Sequence, residues 1–243
     1  MRRFGWVLVL AGLLGAWQAW VDVRSLPIYL LPAPSDIAAA LWDERSTLGS
    51  EALVTMREML VGFLAAVAAG LAAAILIQRV SWMRHALYPL LVASQSVPWV
   101  AVSSLFVIYL GFGLAPKVLI VALVCFFPIT ANAVDGFASA PRELGRTMQT
   151  LNASGRAVFW RIELPWAAPG IFTGARIAAS YAAVAALFSE YAGGSGGLVD
   201  SMHDHLDTGL VGAAIVLLAA LSLGLFGLVT LIERIVLPWS REG

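Results

Sequence analysis

Six apolar runs dominate the chain, at about 4–21, 53–77, 87–111, 117–135, 170–189 and 209–232. A helix needs about 20 mostly apolar residues to cross the hydrocarbon of a bilayer. In lipid, each backbone N–H and C=O must find its partner within the protein, which leaves helices and closed barrels as the spanning structures. Runs of this length predict an all-α membrane protein with about six transmembrane helices. Charged residues make up only 12% of the chain, against roughly 25% in a typical soluble domain. The formal net charge is zero and there is no basic, aromatic-interleaved stretch, which argues against a nucleic-acid partner. Cys125 is the only cysteine and lies in an apolar run. It reads as a small core residue, and no metal site or cofactor is expected.

The first run follows Met1-Arg2-Arg3 and closes on Trp17, Gln18 and Trp20. It is too long for a cleaved signal peptide and reads as a first span with tryptophan at the interface. Basic residues then orient the chain. With the N-terminus inside, Arg79, Arg84, Arg142, Arg146, Arg156, Arg161, Arg234 and Arg241 are also inside, whereas Arg24, Arg45, Lys117 and, near the start of its run, Arg57 are placed outside. The expectation is N-in/C-in in a bacterial-type cytoplasmic membrane. Residues 1–243 are expected to form one transmembrane domain, with 22–50 as an extracytoplasmic segment and 136–168 as the longest cytoplasmic loop. Pro32 and Pro34 stop helix in the outer segment. "PSDIAAALWDE" restarts one, capped by Ser35 or Asp36, and Ile37, Leu41 and Trp42 suit a helix lying in the interface.

The stretch "ELGRTMQTLNASGRAVFWRIELP", residues 143–165, is polar and basic amid apolar sequence. Leu144, Met148 and Leu151 share one helix face. Asn152 tolerates the left-handed conformation that ends a helix. Ser154 can cap a second helix, whose apolar side is Val158, Phe159 and Ile162, and Leu164-Pro165 is expected to stop it. The chain has no G-x-x-x-x-G-K-[ST] phosphate loop. It cannot hold ATP by that route, so energy for active transport would arrive from another chain, at a structured loop such as this one.

Polar groups inside spans are costly and mark candidate pathways. Gln95, Ser96 and Trp99 flank Pro98 in the third run, Asn132 lies in the fourth, and Tyr181 and Glu190 in the fifth. The alternative for Gln95 and Ser96 is hydrogen bonding between helices, for Tyr181 packing, and for Glu190 a solvated helix end. Arg176 either snorkels to headgroups or meets an acid in the pore. "DSMHDHLD", with His203 and His205, reads as a solvated outer loop rather than a metal site.

The chain resembles the permease subunits of ATP-binding-cassette importers. Their loop pattern is Glu-Ala-Ala, three residues, Gly, nine residues, Ile-x-Leu-Pro. Here Arg146-Thr147-Met148, Asn152 and Ile162-Glu163-Leu164-Pro165 fall at those places. "LPAPSDI", "GFGLAPKVLIVALVCFFPI" and "TGARIAASYAAVAA" are similar to segments of the branch serving nitrate, sulfonates, taurine and pyrimidine precursors of thiamine. The resemblance implies coupling to the ATPase through Leu151, Asn152, Ala153, Ser154, Arg156 and Phe159. It implies two ATPase subunits inside, a solute-binding protein outside, and a second permease subunit, giving a homodimer with the pathway at its interface. The implied cargo is an organic anion such as a sulfonate or nitrate, or a pyrimidine precursor. The alternative is a secondary transporter or channel working without ATP. Arg146 reverses the charge of the family's Glu, and Asn152 replaces its Gly.

Overall fold

The computed structural model describes residues 5–80, 82–83, 86, 89, 93, 96–193, 196–199, 202 and 208–238. Among these every regular element is helical: α1 (Gly5–Arg24), α2 (Pro34–Asp43), α3 (Arg45–Arg79), α4 (Trp99–Leu110), α5 (Leu114–Ala138), α6 (Arg142–Thr150), α7 (Gly155–Val158), a π-helical turn (Phe159–Glu163), α8 (Leu164–Gly193) and α9 (Thr208–Val236). Five helices are long and apolar enough to cross a membrane: Val7–Arg24, Arg45–Arg79, Leu114–Ala138, Gly155–Gly193 and Thr208–Val236. The third run, expected as one span over 87–111, is not one helix. Ser96, Val97 and Pro98 are non-helical, and the shorter α4 starts at Trp99. Pro98 has no N–H to give a preceding turn and biases Val97 away from helical angles.

Two local expectations are corrected. Helix α2 begins at Pro34, with Ala33 as its N-cap and the Asp36 carboxylate accepting the Ala33 N–H at 2.9 Å. Proline suits a first helical position because its missing N–H has no intrahelical partner there. Likewise Leu164-Pro165 does not stop the second loop helix. The π turn widens the backbone just before Pro165, and the helix runs on into α8. A π turn relaxes the i−4 spacing that a proline ring would otherwise violate.

The chain forms two compact units. One comprises residues 1–56 and 195–220. Within it Gln18 of α1 clamps the first turn of α2, its amide donating to Ser35 Oγ and accepting the Ser35 N–H, both at 3.1 Å. Gly196 and Gly197 have φ of 99° and 107°, left-handed angles that suit glycine. The Gly197 N–H reaches Glu51, and the Leu198 N–H reaches Thr55 Oγ1 at 3.1 Å.

The second unit comprises residues 57–194 and 221–243. Helices α3 and α5 run parallel in it. Glu58 meets Lys117, Gly62 meets Val121 and Gly70 meets Ile129, each pair 59 positions apart. Helices α5 and α8 are antiparallel. Lys117 lies against Gly193, Cys125 against Ala178, Pro128 against Gly174 and Gly136 against Ala167. A Cβ on Gly174 would lie 2.5 Å from the Pro128 carbonyl oxygen. The buried face of α8 is mostly alanine: Ala175, Ala178, Ala179, Ala182, Ala183, Ala185 and Ala186. Lipid supplies no hydrophobic drive between helices, so close backbone approach through small residues does the packing.

Candidate translocation site and coupling loop

The loop is a helix–turn–helix, with its second helix running on past Leu164-Pro165. Helix α6 ends at Thr150, and Asn152 takes φ 65°. Ser154 caps α7, its Oγ accepting the Ala157 N–H at 3.3 Å. Val158, Phe159 and Ile162 are buried. Phe159 stacks on Phe137 at 5.9 Å, with the Arg79 guanidinium 5.0 Å from its ring centre. It joins Ala74, Ile77, Ala133, Val134 and Ala167 in one apolar cluster. Phe159 therefore faces the ends of α3 and α5, not solvent. Leu151, 75% exposed, and Asn152, Ser154 and Arg156, also exposed, form the outward surface, with Ala153 half-buried. Arg146 and Glu163 line a 250 Å³ pocket beneath the loop. One carboxylate oxygen of Glu163 is buried there with no hydrogen-bond partner.

A cavity of 410 Å³ lies among α4, α5 and α8. Its lining brings together three residues singled out by sequence, Trp99, Asn132 and Tyr181, with Phe127, Pro128 and Phe188 beside them. The Asn132 amide nitrogen donates to the Pro128 carbonyl at 2.8 Å. That carbonyl can only accept, so Oδ1 is the amide end left for another donor. Pro128 also has no N–H to offer the carbonyl of Val124, another lining residue. Ser96 is exposed and does not line the cavity. Gln95 lies outside the described residues, as do His203 and His205.

Glu190 is not a solvated helix end: it is 3% exposed. Its side chain reaches Glu58, which pairs with Lys117 at 3.0 Å, and both members of that pair are 3% exposed. Three ionisable groups from α3, α5 and α8 thus share one buried site. The Lys117 stem lies under Gly193, where a Cβ would come within 3.2 Å of it. Arg176 meets an acid: it forms an ion pair with Glu233 of α9 and hydrogen-bonds Thr173 Oγ1 at 3.1 Å. Sequence reasoning missed Glu58 and Glu233. For Glu58 the signal was present, since an acid inside an apolar run is itself a candidate; Glu233 lies just past the end of the last run.

This arrangement defines a polytopic helical transport protein: a small-residue bundle, a polar-tipped cavity between spans, and a structured loop anchored on the span ends. Comparison with known proteins makes the class specific. Residues 66–237 match the model of the binding-protein-dependent transport system inner membrane component family. The chain is 33% identical to a riboflavin transport system permease protein of Chloroflexus aurantiacus, over 100% of this chain and 94% of that protein. It is 33% identical to a formylaminopyrimidine transport permease protein of Halalkalibacterium halodurans, over 93% and 92%. It is 28% identical to a taurine transport system permease protein of Escherichia coli, over 96% and 88%. The chain belongs to this family: it is a multi-pass inner-membrane permease subunit of an ATP-driven importer, working with an ATPase and a solute-binding protein.

Proposed function

We propose that two copies of this chain form the translocation pathway for a small polar solute, either an organic anion such as a sulfonate or nitrate, or a pyrimidine precursor. Two ATPase subunits dock on the loop surface of Leu151, Asn152, Ala153, Ser154 and Arg156 and hydrolyse ATP in their own nucleotide sites. Phe159 carries the motion inward, because it is buried against α3 and α5 while the rest of that surface faces out. Trp99, Asn132 and Tyr181 line the path. Ser96, Gln95 and Glu190 are further pathway candidates from the sequence; the burial of Glu190 favours a supporting place behind the wall. Nucleotide-driven closure shifts the bundle between inward- and outward-facing states by favouring one of them.

The observation that carries this reading is the anchored loop: an exposed polar surface continuous, through one helix, with the cavity wall. The parallel course of α3 and α5 supports a crossing of the membrane between them, as the six-span count requires. Reconstitution with the ATPase and binding protein tests it. Uptake should require ATP and all three components; uptake that persists without the ATPase and follows a proton gradient would establish a secondary transporter instead.

A further inference from the structure

Whether the cargo is an anion or a heterocycle turns on what the cavity can bind. None of its lining residues is charged. The helices that form it, α4, α5 and α8, carry two cations between them, Lys117 and Arg176. Both are already engaged, Lys117 with Glu58 and Arg176 with Glu233. A nitrate or sulfonate entering this space would lose its hydration without gaining a cation, which is costly in a low-dielectric site. Planar rings meet a different reception. Trp99, Phe127, Tyr181 and Phe188 supply aromatic faces and edges. Asn132 Oδ1 accepts a hydrogen bond, and the Tyr181 hydroxyl and Trp99 indole N–H add a small polar set. The 410 Å³ volume is within the range of about 300–1,000 Å³ found for small-molecule sites.

We propose that this cavity is a binding site for uncharged planar heteroaromatic solutes bearing N–H donors, with Asn132 as the residue that reads the ring edge. The proposal rests on the import reading above and chooses between its two cargo classes. Of the relatives compared, the two at 33% identity are named for riboflavin and formylaminopyrimidine, the taurine one being at 28%, which agrees with that choice. Amide and ring N–H groups of such solutes would donate to Oδ1, an acceptor that a nitrate ion or a sulfonate group, having no N–H, cannot use.

The test reads the cavity directly rather than through transport. Val184 lines it and is 49% exposed. In the complex with its ATPase, V184C in a C125A background is labelled with N-ethylmaleimide in the presence of riboflavin, formylaminopyrimidine, taurine or nitrate, each at about 1 mM. At least one of the two ring solutes should slow labelling about fivefold or more, the mark of roughly four-fifths occupancy, and taurine and nitrate should not. N132L should raise the protecting concentration of the ring solute at least about tenfold, because a site built around a hydrogen bond discriminates strongly when it is lost. Protection by taurine or nitrate alone would place an anion there, at the N-terminus of α4, and overturn the proposal. Lack of protection by any of the four, while the same complex still imports one of them with ATP, would overturn the site and leave the importer reading standing. An N132L variant protected at the parent concentration would remove Asn132 from the reading role.

Discussion

Lys117 and Glu58 leave water together, and the energetics of such pairs are lopsided. A buried ion pair adds little over a well-packed apolar pair, yet removing one partner costs about 3–5 kcal/mol because the other charge is stranded. K117M alone should therefore lower membrane abundance and the thermal midpoint of the purified complex. E58Q/K117M/E190Q, which discharges the whole cluster, should recover most of that loss. Gel-filtration-resolved yield and a fluorescence melt would show it, and equal losses in the two variants would contradict it. Asn152 makes a second residue-scale case. Its φ of 65° costs an ordinary L-residue about 1–2 kcal/mol. N152G should be neutral or slightly stabilising and N152V destabilising by about that amount, measured by the same melt. The loop's turn was legible because Asn carries a backbone preference that is local in sequence. The partner of Glu58 was not, because an ion pair across 59 positions leaves no local trace.

At the scale of elements, apolar run length placed the helices well and located their ends poorly. Length reports what lipid must cover, whereas ends depend on backbone partners. Helix α3 starts at Arg45, ahead of its run at 53, and α8 starts at Leu164, ahead of its run at 170. The first turns of α3 are polar, so hydropathy does not see them, and the first turns of α8 carry Pro165 and Pro169, which read as breakers. Pro165 was expected to terminate a helix, and the π turn before it removes the conflict. The α5–α8 seam has its own demand. A Cβ on Gly174 would strike the Pro128 carbonyl at 2.5 Å and Asn132 Cβ at 2.9 Å, and one on Gly136 the Ala167 carbonyl at 2.7 Å. These are backbone neighbours or are tied to backbone, with little room to yield. G174V should cost at least about 1–3 kcal/mol of overpacking and reduce folded protein in the membrane. G224V, at a glycine with open space around it, is the matched control and should be tolerated.

For the whole molecule, family membership was legible because several segments fell in the right order along the chain, although the loop's first triplet is altered. The site was partly legible: Trp99, Asn132 and Tyr181 converge on one cavity, and Glu190 sits with Glu58 and Lys117 instead. Docking belongs to this scale as well. Leu151 is 75% exposed and supports no core contact of weight. L151E should leave the permease as abundant as the parent and cut ATPase co-purification at least about tenfold, the loss expected when a central apolar contact is replaced by charge. Undiminished co-purification would move the docking surface elsewhere. The helix that rises from this surface runs from Gly155 to Gly193 as 39 residues, about 58 Å at 1.5 Å per residue. Its foot is the loop, its middle is the cavity wall, and its far end carries Glu190. On the import reading proposed above, such a rod would act as a piston rod: the chain stays helical through the π turn, Pro165 and Pro169, so displacement at the loop would be passed on to Tyr181. Two glycines inserted after Glu163 would break that continuity. The engine would then idle, burning ATP while the cargo stays where it was.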